Sequence, residues 1–171
     1  MLAMMACNTA DQKKEGTSDQ TMIGVPEVKI ENGQMTPEVL WAFGRVGNVS
    51  VSPDGKQIAY TVTYYSIPEN RGNSDLYIMD ADGGNKKQLT RTAASESSVA
   101  WKPDGKAIAY LREGKLWNIA PDGSAEKQVS DIEQSIEGFL YAPAGDKILL
   151  VIPTKIEKCM NSDIYEDLDK A

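Results

Sequence analysis

No histidine occurs among the 171 residues of this chain. Imidazole is the proton carrier of the Ser-His-Asp triad, the activating base of the Cys-His pair and the commonest metal-binding side chain. Triad chemistry, Cys-His chemistry and most zinc sites are therefore excluded together. The sequence also lacks a Gly-x-Ser-x-Gly nucleophile turn and both glycine-rich phosphate-binding patterns, Gly-x-x-x-x-Gly-Lys-Ser/Thr and Gly-x-Gly-x-x-Gly. Carboxylates are plentiful but poorly spaced for catalysis. Asp80-Ala81-Asp82-Gly83-Gly84-Asn85 opens like a calcium loop, yet Asn85 stands where the loop needs glycine and Arg91 where it needs a bidentate glutamate. A hairpin turn is expected there instead. Glu166, Asp167 and Asp169 lie together on a polar tail, where a solvated face is expected rather than an acid–base pair. Trp41, Trp101 and Trp117 could offer a sugar-stacking platform, but Trp101 and Trp117 fall at strand positions where rings pack between sheets. The chain is expected to hold no catalytic residue, no cofactor site and no metal site.

The two cysteines are not obvious partners, and Cys159 reads as an incidental thiol. Cys7 has a context. Met1-Leu2-Ala3-Met4-Met5-Ala6-Cys7 is apolar, ends in Ala-Cys and is followed by a polar tract from Asn8 to Gln20. It resembles the end of a bacterial lipoprotein signal, in which the cysteine becomes the lipidated first residue. Cys7 is thus the expected lipid attachment site, although a charged leader is missing and the apolar stretch is shorter than the usual ~7–15 residues. The alternative is an unstructured apolar tag. Acyl chains on Cys7 would tether the protein by burying methylenes in a bilayer. No apolar run approaches the ~20 residues of a spanning helix, so membrane association is expected only through that anchor, at the bacterial cell envelope. The net charge is −7 and no Lys/Arg cluster occurs, which argues against a nucleic-acid partner. Asn48-Val49-Ser50 matches a glycosylation sequon, read as coincidence.

The elements that would position any site are repeats. Val49-Ser50-Val51-Ser52-Pro53-Asp54-Gly55-Lys56-Gln57-Ile58-Ala59-Tyr60 is echoed by Val99-Ala100-Trp101-Lys102-Pro103-Asp104-Gly105-Lys106-Ala107-Ile108-Ala109-Tyr110. A weaker copy runs from Phe139 through Pro143-Ala144-Gly145 to Leu150. Downstream, 40 residues separate Leu76 from Leu116, Asp82 from Asp122 and Gln88 from Gln128. The Pro-Asp-Gly turns, by contrast, stand 50 residues apart at Pro53 and Pro103. The first copy therefore carries ten extra residues, placed at Tyr64–Asn73. Proline presets the second turn position, aspartate tolerates the third and glycine accepts positive φ at the end. In the second copy, strands are expected at about 97–101, 106–112, 115–120 and 127–130, with alternating apolar positions. Four strands per period of about 40–50 residues is the geometry of a propeller blade.

The expected fold is all-β: a partial β-propeller of about two and a half four-stranded antiparallel blades with a short N-terminal helix. Residues 1–7 read as a signal remnant and 8–27 as a flexible linker, the latter from its Thr/Asp/Gln/Lys/Gly composition. A short strand at Val28–Ile30 and a helix over Pro37–Phe43 follow, the helix capped by Thr36 and stopped at Gly44. Blades are placed at 45–91 and 92–131, with a partial blade and tail at 132–171. The Tyr64–Asn73 insertion is the best local candidate for contact with another molecule, because it lengthens one loop at a propeller face; a longer hairpin tip is the plain alternative.

With these residues in place, the chain resembles the N-terminal part of prolyl oligopeptidase family serine peptidases, of the dipeptidyl-peptidase V or acylaminoacyl-peptidase type of Bacteroidetes-like bacteria. The likeness runs from about Val28 onward. It rests on Met35-Thr36-Pro37-Glu38-Val39-Leu40-Trp41, on Val51-Ser52-Pro53-Asp54-Gly55-Lys56, on Asp75-Leu76-Tyr77 and on Asp163-Ile164-Tyr165-Glu166-Asp167-Leu168. The Pro-Asp-Gly-Lys turn is shared by many propellers. The resemblance implies peptide substrates handled through a parent enzyme, in which this propeller gates or helps bind peptide and a C-terminal α/β-hydrolase domain of the same polypeptide supplies Ser, Asp and His. Because the chain is expected to stop inside the propeller, no catalytic residue carries over, and no adjacent Glu-Glu pair of the kind some relatives use for a peptide N-terminus is found. A TolB-like, non-enzymatic periplasmic scaffold is the alternative function, and a self-contained small β-sandwich the alternative fold. Uncovered blade faces predict marginal stability.

Overall fold

The computed structural model describes residues 22–30 and 32–153. Its architecture starts from three copies of one turn. Gly55, Gly105 and Gly145 have φ of 72°, 68° and 74°, and each amide donates to the carbonyl three residues earlier, at 2.9, 2.9 and 2.8 Å. Asp54 and Asp104 hold their turns by accepting the amides of Lys56 (3.1 Å) and Lys106 (3.0 Å). Ala144 has no side-chain oxygen for that task, and its turn is closed by the backbone alone, through Ala142 N–H to the Lys147 carbonyl at 2.9 Å. A positive-φ residue closing the turn sets the strand twist, so each copy starts a twisted antiparallel hairpin.

Those hairpins grow into three antiparallel sheets. The first joins β1 (Arg45–Val51), β2 (Gln57–Ser66), β3 (Arg71–Asp80) and β4 (Lys87–Gln88) in sequential order. The second joins β5 (Glu96–Trp101), β6 (Ile108–Arg112), β7 (Lys115–Ile119) and β8 (Lys127–Gln128) likewise. The third contains β9 (Gly138–Tyr141) and β10 (Ile148–Val151). This is the expected partial propeller. The fourth strand of each complete blade is shorter than expected, and a side chain explains why. Leu76 N–H donates to Thr90 Oγ1 and Leu116 N–H to Ser130 Oγ, both at 2.9 Å. The Leu76 and Leu116 carbonyls then take the amides of Leu89 and Val129, each at 2.8 Å. A hydroxyl thus replaces one rung of the ladder and lets the chain leave the sheet.

Each seam between blades is filled by alternate residues, because strand side chains point to opposite faces. Ala59, Leu76 and Ile78 of the first blade meet Val99, Trp101, Ile108, Tyr110 and Ile119 of the second. On the second blade's other face, Ala109, Leu111 and Leu116 meet Ile136 and Phe139, with Tyr141, Leu150 and Ile152 alongside. Trp101 also pins the innermost strands together: its amide donates to Ser50 Oγ and its indole N–H to the Ser50 carbonyl, both at 3.1 Å. Asn48, of the apparent sequon, accepts the Ser98 amide at 2.9 Å and so serves the same seam. The third blade's outer face remains bare among the described residues, with Leu140, Leu149 and Val151 exposed.

The N-terminal region departs from expectation in one respect. Val28–Ile30 forms no strand. The residues instead belong to an irregular run at 22–30 that lies along the first blade, where Ile23, at the end of the expected linker, is buried. The run shares a cleft with Tyr64, Asp75 and Tyr77 of the sheet and with Gln88 of its edge strand. The helix forms as its residues dictate. α1 (Pro37–Ala42) has Thr36 as N-cap, accepting the Val39 amide at 3.3 Å, and buries Val39. Gly44 is required by space, since a Cβ there would stand 2.7 Å from Val62 Cγ1.

The two seams carry the stability. Ile108→Ala should lower the unfolding free energy by about 2–5 kcal/mol through the cavity it leaves, whereas Leu149→Ser on the bare face should change it by no more than about 0.5 kcal/mol. Urea titration followed by tryptophan fluorescence checks both values.

Candidate binding site at the long hairpin

The ten-residue insertion turns out to be a continuation of the β2–β3 hairpin. Its register runs unbroken from Gln57↔Asp80 to Ser66↔Arg71, while β6–β7 ends at Arg112↔Lys115. By the repeat correspondence Val62 matches Arg112, so the pairs from Thr63↔Ser74 outward project past the second blade. The face that a neighbouring blade covers elsewhere is therefore left open at Tyr65. Three residues gather there. Trp41, from the end of α1, meets the Tyr65 ring edge-on with centroids 5.6 Å apart. The Arg45 guanidinium, at the start of β1, lies 4.8 Å from the Trp41 ring centre and 4.5 Å from that of Tyr65. Cation–π attraction holds the guanidinium over both rings, while the residue as a whole is exposed.

Clefts flank this aromatic pair. One, of about 360 Å³, is walled by Met22, Pro26 and Val28 of the N-terminal run and by Glu38 and Glu69. Another, of about 310 Å³, is walled by Ile67, Asn70 and Arg71. Trp41 and Tyr65 belong to both. Glu69 and Arg71 are bonded across the hairpin tip at 2.8 Å. Trp41 is 42% exposed and Ile67 58%, so apolar surface faces solvent near the exposed Arg45.

A second concentration of polar groups lies inside the seam between the first two blades. Arg112 Nε donates to Glu96 Oε1 at 2.8 Å, and Arg112 Nη2 to Glu126 Oε1 at 2.5 Å. Tyr110 also donates its hydroxyl proton to Glu126. Thr90 and Thr92 donate to Glu96 at 2.9 and 3.1 Å. Nearby, Asp75 accepts from Gln88 Nε2 (3.1 Å) and Thr92 N–H (3.3 Å). Burial pushes Glu96 and Asp75 above their ordinary values, against the pull of their hydrogen bonds. Burial also pushes Glu126 up, but the bonds from Tyr110 and Arg112 outweigh it and hold this carboxyl low. The Tyr77 phenol is pushed up to about 12, chiefly by burial. Every acid here already has a donor, so the cluster does structural work.

The expected site residues fall out as follows. Cys7, the anticipated lipid attachment point, lies outside the described residues, as do Cys159 and the acidic group at Glu166, Asp167 and Asp169. Among the described residues no cluster of three metal-binding side chains occurs. Asp80–Asn85 is a turn, closed by Gly83 N–H to the Asp80 carbonyl at 2.9 Å. Trp101 is buried in the seam and Trp117 packs against the same core, with Arg112 4.7 Å from its ring centre. Trp41 lines two open clefts. Sequence inspection found the insertion but not Trp41 or Arg45 as its partners. Neither lies in a repeat, and only the fold brings α1 to the hairpin tip.

No family model matches the chain. It is 37% identical over 144 residues to dipeptidyl-peptidase 5 of Porphyromonas endodontalis, a match covering 82% of this chain and 21% of the relative. With the protein of the same name from Porphyromonas gingivalis it shares 38% over 141 residues, covering 80% of this chain and 20% of the relative. The chain thus spans about a fifth of the length of the curated relatives it matches. Among solved structures, the acylaminoacyl peptidase of Pyrococcus horikoshii superposes with a TM-score of 0.57 at 20% identity, over 69% of this chain and 19% of that one, which shows the shared fold. The chain belongs with the propellers of the prolyl oligopeptidase family of peptidases.

The buried seam should have a pH signature. Glu96 binds its proton more tightly folded than unfolded, so the cost of burying its charge is fully present above its folded pKa. That cost disappears as pH falls toward the unfolded value of about 4.3. Glu126 has the opposite sign: its contribution holds above about 4.3 and is lost below. As pH falls from neutrality toward about 4.3 the wild type should therefore gain stability relative to Glu96→Gln, measured as the difference in urea midpoints.

Proposed function

We propose that this chain is the propeller portion of a bacterial dipeptidyl-peptidase-like serine exopeptidase and that it gates or helps bind the peptide. The hydrolytic groups would be supplied by an α/β-hydrolase domain of the same polypeptide. The observation that carries this is the 37% identity to a dipeptidyl-peptidase over 82% of the chain, coupled to a propeller with an open aromatic cleft. The chemistry agrees. Acyl transfer from a peptide needs a nucleophile, a proton carrier and oxyanion donors, and a chain without histidine has no imidazole to be that carrier. What the chain does have is a rigid all-β frame carrying one enlarged loop, the usual division between scaffold and contact surface.

The proposed organisation is a signal remnant at 1–7, a linker, the helix-bearing lead-in, blades at 45–91 and 92–131, and a further blade beginning near 132. Cell-envelope placement, with an acyl anchor on Cys7, completes the proposal; among the described residues no helix is long and apolar enough to cross a membrane.

Two experiments address this. The 171-residue chain by itself should release no product from a chromogenic dipeptidyl substrate, and turnover abolished by a serine-directed inhibitor would overturn the division of labour. Sequencing the gene beyond the Ala171 codon should reveal a Gly-x-Ser-x-Gly segment a few hundred residues on, whereas further blades followed by a stop codon would favour the TolB-like scaffold. For the anchor, alkyne-fatty-acid labelling in cells should mark the wild type and fail in Cys7→Ser.

A further inference from the structure

We propose that Arg45, clasped by Trp41 and Tyr65, is the receptor for a carboxylate on an apolar peptide. The choice of peptide rests on the peptide-handling function proposed above. The site itself rests on geometry. The other arginine–carboxylate pairs among the described residues, Arg71–Glu69, Arg112–Glu96 and Arg112–Glu126, show how short such contacts are, with closest approaches of 2.8, 2.8 and 2.5 Å. Arg45 has no carboxylate within 4.0 Å among the described residues. Its guanidinium instead lies 4.8 and 4.5 Å from two ring centres. Arg45 is exposed, and a guanidinium carries five N–H donors in a fork that matches a carboxylate with two parallel hydrogen bonds. The rings also fix the orientation of the long side chain, which lowers the entropy lost when a ligand arrives.

The surroundings select the rest of the ligand. Glu38 lines the cleft on the N-terminal side of the aromatic pair and repels an anion, while Glu69 there is paired with Arg71. Asn70 and Arg71 line the other side, where Ile67 offers apolar contact. Arg45 lines neither cleft but touches the two rings that line both, so a peptide whose apolar side chain rests on Trp41 and Ile67 meets Arg45 with its carboxylate at the edge of that ring pair. The second blade cannot build this site, because its hairpin ends at Arg112↔Lys115, level with the base of the overhang.

The carboxylate could be a peptide C-terminus or an acidic side chain. Isothermal titration of the 171-residue chain with N-acetyl-Leu-Phe, N-acetyl-Leu-Phe-amide and N-acetyl-Leu-Glu-Leu-amide separates them. At least one of the two acids should bind about tenfold or more tightly than the neutral amide, the scale of a charge-assisted hydrogen-bond pair. Preference for the first acid identifies the terminus and preference for the second the side chain. Arg45→Gln should erase the preference without loss of the folded circular-dichroism spectrum, and Trp41→Ala should weaken all three probes. Equal affinity for acids and amide, absence of binding by all three at 10 mM, or a preference that survives in Arg45→Gln would overturn the proposal. Such a failure would be distinct from failure of the peptidase assignment, which is decided by the gene sequence beyond codon 171.

Discussion

A propeller blade has two apolar faces and cannot bury either one alone. This constraint organises the chain. The second blade satisfies it on both sides, with Ile108, Tyr110 and Ile119 on one face and Ala109, Leu111 and Leu116 on the other. All five residues of β6 are buried, as a strand between two packed neighbours must be. The first blade meets its partner on one face only. Its other face is more polar and aromatic, with Tyr60 stacked on Tyr77 at 5.8 Å and Asp75 buried beside them, and it receives the irregular run that contains Ile23. The third blade's outer residues Leu140, Leu149 and Val151 stay uncovered among those described. Burial is worth roughly 25 cal/mol per Å² of apolar surface, so the middle blade contributes most to holding its neighbours.

The two seams solve the same packing problem with different chemistry. In the repeat, Glu96 and Ile136 are equivalent, 40 residues apart. Ile136 simply joins the apolar cluster of the second seam. Glu96, 2% exposed, needs Arg112, Thr90 and Thr92 to offset the loss of water around its charge. A buried ion pair of this kind adds little over an apolar pair, and it lies within the second blade, between β5 and β6, with Thr90 reaching Glu96 from the first blade. The first blade meets this polar group through the Thr90 hydroxyl, and the unbroken β2–β3 register carries the long hairpin on past it.

That projection is where the fold acquires something to contact. A repeat protein is uniform by construction, and a site arises where one copy breaks the pattern. Here the break is an overhang of β2 and β3, and its exposed face is furnished by residues from outside the repeat, Trp41 and Arg45. The helix that carries Trp41 is held by Val39 against the sheet. Close approach at Gly44 lets the chain turn directly from helix into β1. The site is consequently supported on regular structure along most of its length.

Much of this was legible in the sequence, for local reasons. The Pro-Asp-Gly turns dictate hairpins by backbone preference alone, the alternation of Ile108 and Tyr110 with Ala109 marks a two-faced strand, and the 40- and 50-residue spacings locate the insertion at Tyr64–Asn73. Thr36-Pro37-Glu38 announces a helix start, and α1 begins there. Non-local pairings were not legible. Val28–Ile30 has strand-like residues but pairs with no strand among the described residues and is irregular. The sequon at Asn48 carries no sign that its side chain bonds to Ser98 across a seam. Arg45 and Tyr65 are 20 residues apart and belong to different strands, and only the antiparallel register that sets Arg45 opposite Thr63 brings them to one face. Short-range backbone chemistry thus determined the repeating unit, while the meeting of helix, strand start and hairpin tip was decided by tertiary packing, because cross-strand register and blade alignment depend on contacts that sequence proximity does not encode.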